Sequence, residues 1–474
     1  MQPARMRLIL PPVDLHMSTM TIEISGGGFS NKGAELMLRT TVARLRETRP
    51  DLRIAVEPGV ETPYERRAEV QLAHIFPNHA IFPLWSMRWF SHLPVLRRVV
   101  YGLVSAAVPP ASDRVLGLCR RKSCDALVDI AGYSYGDGFK PIRTTLAVDR
   151  ARSYARRGKP VILMPQMFGP FRNPKVRSEF RRLCDLATRI YARESRSYEA
   201  VREVIGDDPR LRIAPDITIF SGSGPQSDSA GDLVGDGGGN GGGIAGDLGG
   251  DWGDASIGRF AVLVPNERML DQGRKDWGDS YLPRLVAAGL AMHSAGIRPM
   301  VVVHSGEAGD AELADRIVSE IESQAGRGAV GRFTHPHPKI LKAFIARSEF
   351  VIGSRFHAIV AALSSGVPAV SLGWAHKYEA LAEDFGVPSL QHKAADPPSH
   401  LHELIALLAD ESRNAEMRRR IATARESMQV KADAMWADVR ELLRLPQPRP
   451  EVDGTASTGS LENERPHQSG ATSS

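Results

Sequence analysis

The chain contains no apolar run approaching the ~18–20 residues that a membrane-spanning helix needs. Its apolar start, Leu8-Ile9-Leu10, is broken at once by Pro11-Pro12 and is too short for a signal-peptide core. Cysteine is scarce: Cys119, Cys124 and Cys184 are the only three in 474 residues. They make no disulfide framework, and Cys119 with Cys124 falls short of the usual zinc ligand set. A reducing cytoplasm is the expected compartment. The net charge is small as well, +5, with arginine spread along helical stretches such as 150–157 and 177–189. No basic stripe interleaved with aromatics is present, so nucleic acid is not an expected partner. Small anions suit this charge pattern better. Dinucleotide and Walker fingerprints are also lacking, because the glycines around Gly26-Gly27-Gly28 are wrongly spaced for either.

What is present is alternation. Between residues 20 and 216, strand-like runs at 21–25, 53–57, 125–130, 161–164, 189–192 and 211–214 alternate with helical stretches such as 33–48. That pattern predicts a mainly parallel sheet covered on both faces. A second series runs through 259–264, 298–303, a helix near 311–323, and strands at 348–352 and 369–372. The expected fold class is α/β and GT-B-like: two doubly wound, Rossmann-like halves facing a cleft. Residues 1–19 are expected to be a disordered leader, 20–220 the amino-terminal half and 259–398 the carboxyl-terminal half. Residues 221–258 are mostly Gly, Ser and Asp, without the fixed period of a calcium-binding repeat, and predict a disordered linker. A closing helical region at 399–445 and a disordered tail at 446–474 complete the expected organisation.

The motif Ser354-Arg355-Phe356-His357 follows the 348–352 run. Ser354 is a good N-cap, and Gly366 with Pro368 ends the helix. Arg355 and His357 are therefore expected in the first helical turn, where free N–H groups and the positive helix end favour an anion. The arginine adds a planar fork of donors. The competing reading is a salt-bridged arginine beside an ordinary histidine. Arg193, at the end of 189–192, either pairs with Glu194 or meets an anion held by Arg355. Lys377, just past 369–372, is a candidate third cation. Asn31 and Lys32 end a glycine-rich turn that suits sugar hydroxyls or an anion, or is simply a capped turn. In Gly132-Tyr133-Ser134-Tyr135-Gly136-Asp137, the tyrosines can stack on a sugar ring and Asp137 can accept a hydroxyl proton. An Asp-Gly turn is the alternative. Gln166, before the sharp Gly169-Pro170 turn, can point into the cleft. His335 with His337 and His400 with His402 lack the i, i+4 spacing of helical metal ligands, so no metal is expected.

Taken in order, Asn31-Lys32-Gly33-Ala34-Glu35, Pro165-Gln166-Met167-Phe168-Gly169-Pro170-Phe171, Ala192-Arg193-Glu194, Pro215-Asp216, Ser354-Arg355-Phe356-His357 and Gly366-Val367-Pro368 with Lys377 resemble the polysaccharide pyruvyl transferase family. The resemblance covers nearly all of residues 20–390. It implies a GT-B-like enzyme that moves pyruvate from phosphoenolpyruvate onto two sugar hydroxyls as a cyclic ketal. It also implies that Arg355, Phe356 and His357 contact phosphoenolpyruvate, with Arg193 reaching in from the other half. Many family members have Gly-Asp-Glu where this chain has Gly33-Ala34-Glu35, which puts acceptor binding in question. The chemistry calls for a general acid and a general base but no cofactor. His357 is the candidate acid, and Asp137 and Glu35 are the candidate acceptor-side bases. The expected partners are phosphoenolpyruvate and a glycan acceptor, lipid-linked or free.

Two other readings stand beside it. One is a nucleotide-sugar glycosyltransferase or epimerase of the same architecture, with Glu379 holding a ribose. The other is a non-catalytic scaffold in glycan assembly. The stretch 82–108 mixes Trp85, Trp89 and Phe90 with Arg97-Arg98 and an apolar run. It suggests peripheral docking on the inner face of the membrane, or a helical excursion packed on the sheet.

Overall fold

The computed structural model describes residues 20–76, 117–221, 258–271, 274–305, 308–373 and 377–448. The expected leader, the 82–108 stretch, the linker apart from residues 221 and 258, and the tail past 448 lie outside the described residues.

Parallel neighbours need a crossover connection, and the helices between most of these strands supply it. The strands are β1 (Thr21–Ser25), β2 (Arg53–Val56), β3 (Ala73–Phe76), β4 (Leu118–Arg120), β5 (Ala126–Asp129), β6 (Tyr133–Tyr135), β7 (Val161–Phe168), β8 (Arg189–Ala192) and β9 (Leu211–Ile213). They form one parallel sheet in the order β4-β3-β2-β1-β5-β7-β8-β9, with β6 paired to β7 off that path. The second sheet contains β10 (Phe260–Val264), β11 (Arg298–Val303), β12 (Gly331–Thr334), β13 (Val351–Gly353) and β14 (Ala369–Ser371). Its order is β12-β11-β10-β13-β14, again parallel throughout. In each sheet the order reverses beside the first strand, at β1/β5 and at β10/β13. Such reversals leave a crevice at the carboxyl ends of the strands.

Every residue of β1, β7 and β10 is buried, as expected for strands covered on both faces. The core of the second half takes in Met417, Ile421 and Met428 of the long helix Glu411–Leu442. The far end of the same helix, with Met435, Trp436 and Val439, belongs to the core of the first half. Asp438 there accepts from Arg189 at 2.7 and 2.9 Å, and from the Tyr191 hydroxyl. One helix thus ties the two sheets together.

The element bounds differ from expectation where capping intervenes. The strand expected at 348–352 begins only at Val351, because the N–H and hydroxyl of Ser348 bond back to Ile345 and finish the helix Pro338–Ala346. The closing region is two helices, Pro398–Ala409 and Glu411–Leu442, broken at Asp410, whose side chain caps the second.

Candidate active site

The carboxyl ends of the two sheets face each other across a cavity of about 270 Å³. From the first half come Asn31 and Met37, the turn 130–133 after β5, and Arg193 after β8. From the second come Asn266, His304, Ser305, Arg355, Phe356, His357, Lys377 and Tyr378. Larger hollows exist, such as one of about 780 Å³ around Arg157 and Lys159. That one sits at the amino ends of β5, β7 and β8, away from both strand-order reversals.

The motif after β13 takes its shape from backbone bonds. The helix Phe356–Ser364 has Arg355, not Ser354, at its N-cap, and Arg355 makes no side-chain cap bond. The Ser354 hydroxyl instead meets the Tyr281 hydroxyl at 2.7 Å, and its carbonyl accepts from Asn266 at 3.0 Å and from Tyr378 at 2.6 Å. This frees the Arg355 fork to grip the fully buried Asp310, at 2.7 and 2.5 Å. Arg193 is likewise matched: it donates to Asp216 at 2.8 Å, and its guanidinium lies 4.6 Å from the Phe356 ring centroid. Lys377 is different. Its ammonium rests 4.8 Å from the Phe356 centroid and 5.5 Å from that of Tyr378, and no carboxylate pairs with it among the described residues. Burial first, then Arg193, pushes its pKa down to about 8.

His357 sits in the first turn with its Nε2 buried and without a hydrogen-bond partner among the described residues. Burial lowers its pKa to about 4; Asp216 opposes the shift, and Arg193 and Lys377 add to it. On its Nδ1 side the ring packs on the bare Cα of Gly33, where a Cβ would overlap it. The glycines of the first turn thus serve packing. Gly26, at φ +82°, leaves room for the backbone of Ala131, and Gly33 leaves room for a histidine of the opposite half.

Of the expected site residues, His357, Arg355, Phe356, Arg193, Lys377 and Asn31 come together at this cavity, and four others do not. Lys32 spans the halves, from Glu35 to the Pro336 carbonyl. Glu35 is fully buried, and Lys32, Arg39 and Arg66 engage its oxygens. Asp137 accepts the backbone N–H groups of Arg172 and Asn173 at 2.8 and 3.1 Å, holding the turn after β7. Gln166 is buried and donates to Asp129 at 3.2 Å. Tyr133 lines the cavity, whereas Tyr135 is buried against Asp129 at 3.0 Å. Asn31 caps its helix, accepting from Gly33 and Ala34, and also lines the cavity.

Sequence reasoning passed over His304, Asn266 and Tyr378. His304 and Asn266 lie just beyond apolar runs, at the carboxyl ends of their strands, and that position was the available signal; Tyr378 opens the helix after β14. No carboxylate lines the cavity among the described residues. His400 does approach His392 and Asp396 closely enough to suggest a metal. However, Arg284 donates to His392 Nε2 at 2.7 Å, which leaves the proton of that neutral ring on Nδ1, the atom a metal would need.

The two facing parallel sheets form the GT-B architecture. UDP-GlcNAc 2-epimerase from Neisseria meningitidis, solved with UDP-GlcNAc, superposes with a TM-score of 0.55 at 10% identity, covering 90% of this chain and 99% of that one. A putative UDP-N-acetylglucosamine 2-epimerase from Listeria monocytogenes gives 0.50 at 12% identity, over 89% and 97%. At such identities the likeness concerns the fold. No curated protein matches the sequence. The family model for polysaccharide pyruvyl transferase matches residues 31–376, and the chain belongs to that enzyme family.

Proposed function

We propose that the protein transfers pyruvate from phosphoenolpyruvate onto two hydroxyls of a sugar in a polysaccharide or its lipid-linked precursor, forming a cyclic ketal and releasing phosphate. The observation that carries this reading is the largely buried ammonium of Lys377, which no carboxylate pairs among the described residues, near the buried Nε2 of His357, which has no hydrogen-bond partner among those residues. A buried unmatched cation and a buried unsatisfied nitrogen are both costly, and an anionic acceptor of hydrogen bonds relieves both. Phosphoenolpyruvate brings a carboxylate and a phosphate to Lys377, Arg193 and Arg355. The cavity also suits a small donor. Its volume of about 270 Å³ falls below the roughly 300–1,000 Å³ of pockets for drug-sized ligands, and a nucleotide sugar is at least that large.

The residues then divide the work. Phe356 backs both Arg193 and Lys377, holding cations from the two halves against one ring. Burial holds the His357 pKa down at about 4, so the ring is neutral. Bound phosphoenolpyruvate offsets Arg193 and Lys377 and raises the ring's affinity for a proton, which His357 delivers to the enol carbon C3. In balance, one hydroxyl proton ends on C3 and the other on the departing phosphate, while two new C–O bonds form at C2. The test is phosphate release from phosphoenolpyruvate with a panel of free and lipid-linked glycans. Glycan-dependent release is expected. Turnover of a nucleotide sugar, with none of phosphoenolpyruvate, would replace this reading with the glycosyltransferase or epimerase alternative.

A further inference from the structure

Ketal formation requires two hydroxyls to lose their protons, yet both carboxylates expected as bases stand outside the cavity. Glu35 is occupied by three cations and Asp137 by two backbone N–H groups. The remaining proton-accepting candidates on the lining are few. The Tyr378 hydroxyl donates to the Ser354 carbonyl at 2.6 Å, and Tyr133 reaches the Gly169 carbonyl at 3.4 Å. Burial raises the pKa of both phenols, so neither readily forms a phenolate. Lys377 is committed to the donor. Among the described residues that leaves one imidazole without a role, His304. We infer that His304 is the general base for the acceptor, and that the acceptor hydroxyls enter at the β10–β11 end of the cavity, beside Asn266.

The sheet order supports this placement. His304 follows β11 and Asn266 lies just past β10, while Arg355 to His357 follow β13 and Lys377 follows β14. Adjacent strands stand about 4.8 Å apart. The rim therefore runs from a neutral polar end, His304 and Asn266, to a cationic end, Arg355 and Lys377. A trianionic donor belongs at the second and a sugar at the first. Asn266 already donates to the Ser354 carbonyl at 3.0 Å, which ties the neutral end to the motif. The groups acting on His304 are His357, Arg355 and Lys32, with no carboxylate among them; burial and these neighbours hold its pKa down at about 3. The ring is thus unprotonated when the acceptor arrives. The charge of a seated donor offsets Arg355 and strengthens the base.

The inference rests on the proposed pyruvyl transfer. As His304 takes the first hydroxyl proton, that oxygen bonds to C2, and the C2=C3 pair moves to C3, which takes the proton carried by His357. The C2–O bond to phosphate then breaks, and the leaving oxygen takes the proton back from His304. The second hydroxyl bonds to C2 and gives its proton to His357. Both rings end as they began.

The test compares His304→Ala and His304→Gln with the unaltered protein. Phosphoenolpyruvate affinity is measured by calorimetry, and transfer by glycan-dependent phosphate release. Loss of one general base predicts a fall in kcat of about 10²–10⁴-fold in both variants, with the dissociation constant for phosphoenolpyruvate within about threefold. Added imidazole should restore the alanine variant saturably and leave the glutamine variant unrestored. The inference is overturned if either folded variant keeps kcat within about threefold, if the loss appears only as a raised KM for the glycan, or if imidazole restores nothing in a folded alanine variant. If the alanine variant fails to fold, the glutamine variant decides by its kcat. Should the unaltered protein itself neither bind nor consume phosphoenolpyruvate, the failure belongs to the proposed function and not to His304.

Discussion

Replacing Lys377 by methionine should weaken the protein's grip on its donor and at the same time stabilise its fold. Methionine keeps most of the length of the side chain beside the Phe356 and Tyr378 rings and removes the charge. The lysine pKa is about 8 in the fold against 10.5 as the ordinary value. The unfolded chain therefore binds more protons between pH 8 and 10.5, so stability rises with pH across that window and the cost is fully present below it. That cost is about 3 kcal/mol at neutral pH, and Lys377→Met should recover part of it as a higher melting temperature. In the donor complex the same ammonium makes a charge-assisted contact worth about 1.5–3 kcal/mol, so affinity should fall about 10- to 150-fold. Thermal melts at pH 7 without ligand, and calorimetric titration with phosphoenolpyruvate, read the two effects separately. A variant that melts lower, or that binds phosphoenolpyruvate as tightly as before, would refute the reasoning.

The other predictions concern the partners of that site. Arg355→Ala should unfold more easily by about 3–5 kcal/mol, because it strands the buried carboxylate of Asp310. Adding Asp310→Asn should recover stability without recovering donor binding; a single variant as stable as the unaltered protein would show that the pair contributes little. Gly33→Ala should cut kcat sharply, since its Cβ overlaps the His357 ring. Unchanged kcat would mean that the halves stand further apart during catalysis. The kcat/KM for phosphoenolpyruvate should fall as pH rises through about 8, where Lys377 loses its proton. Lys377→Met should lack that limb, and a flat profile up to pH 10 in the unaltered protein would count against Lys377 as a donor ligand.

The parallel, doubly wound character of the fold was legible because β10 and the first half of β7 are apolar along their length, and a sheet covered on both faces calls for that. Four strands, β3, β4, β6 and β12, were not. β4 and β6 are three residues each, too brief for a periodicity to register. β7 runs four residues beyond its apolar run because Pro165 and Gln166 are buried in its continuation. Among site residues, Arg355, His357 and Lys377 could be placed because each lies within a few residues of the carboxyl end of a strand. Glu35 and Asp137 were misplaced because a carboxylate that closes an ion-pair cluster or a turn looks, in sequence, like one that awaits a substrate. His304 escaped notice for the converse reason: a single histidine after Val301-Val302-Val303 carries no motif, and only the sheet order brings it round to Asn266 and His357.

The most direct test of the central claim is the fate of carbon-labelled phosphoenolpyruvate incubated with the protein and a glycan acceptor in heavy water. The account predicts label in the glycan as a quaternary ketal carbon, an equal amount of released phosphate, and a single deuterium in the new methyl group, because C3 takes one exchangeable proton. Phosphate accompanied only by free pyruvate, or a glycan product that keeps the vinyl carbon, would contradict it.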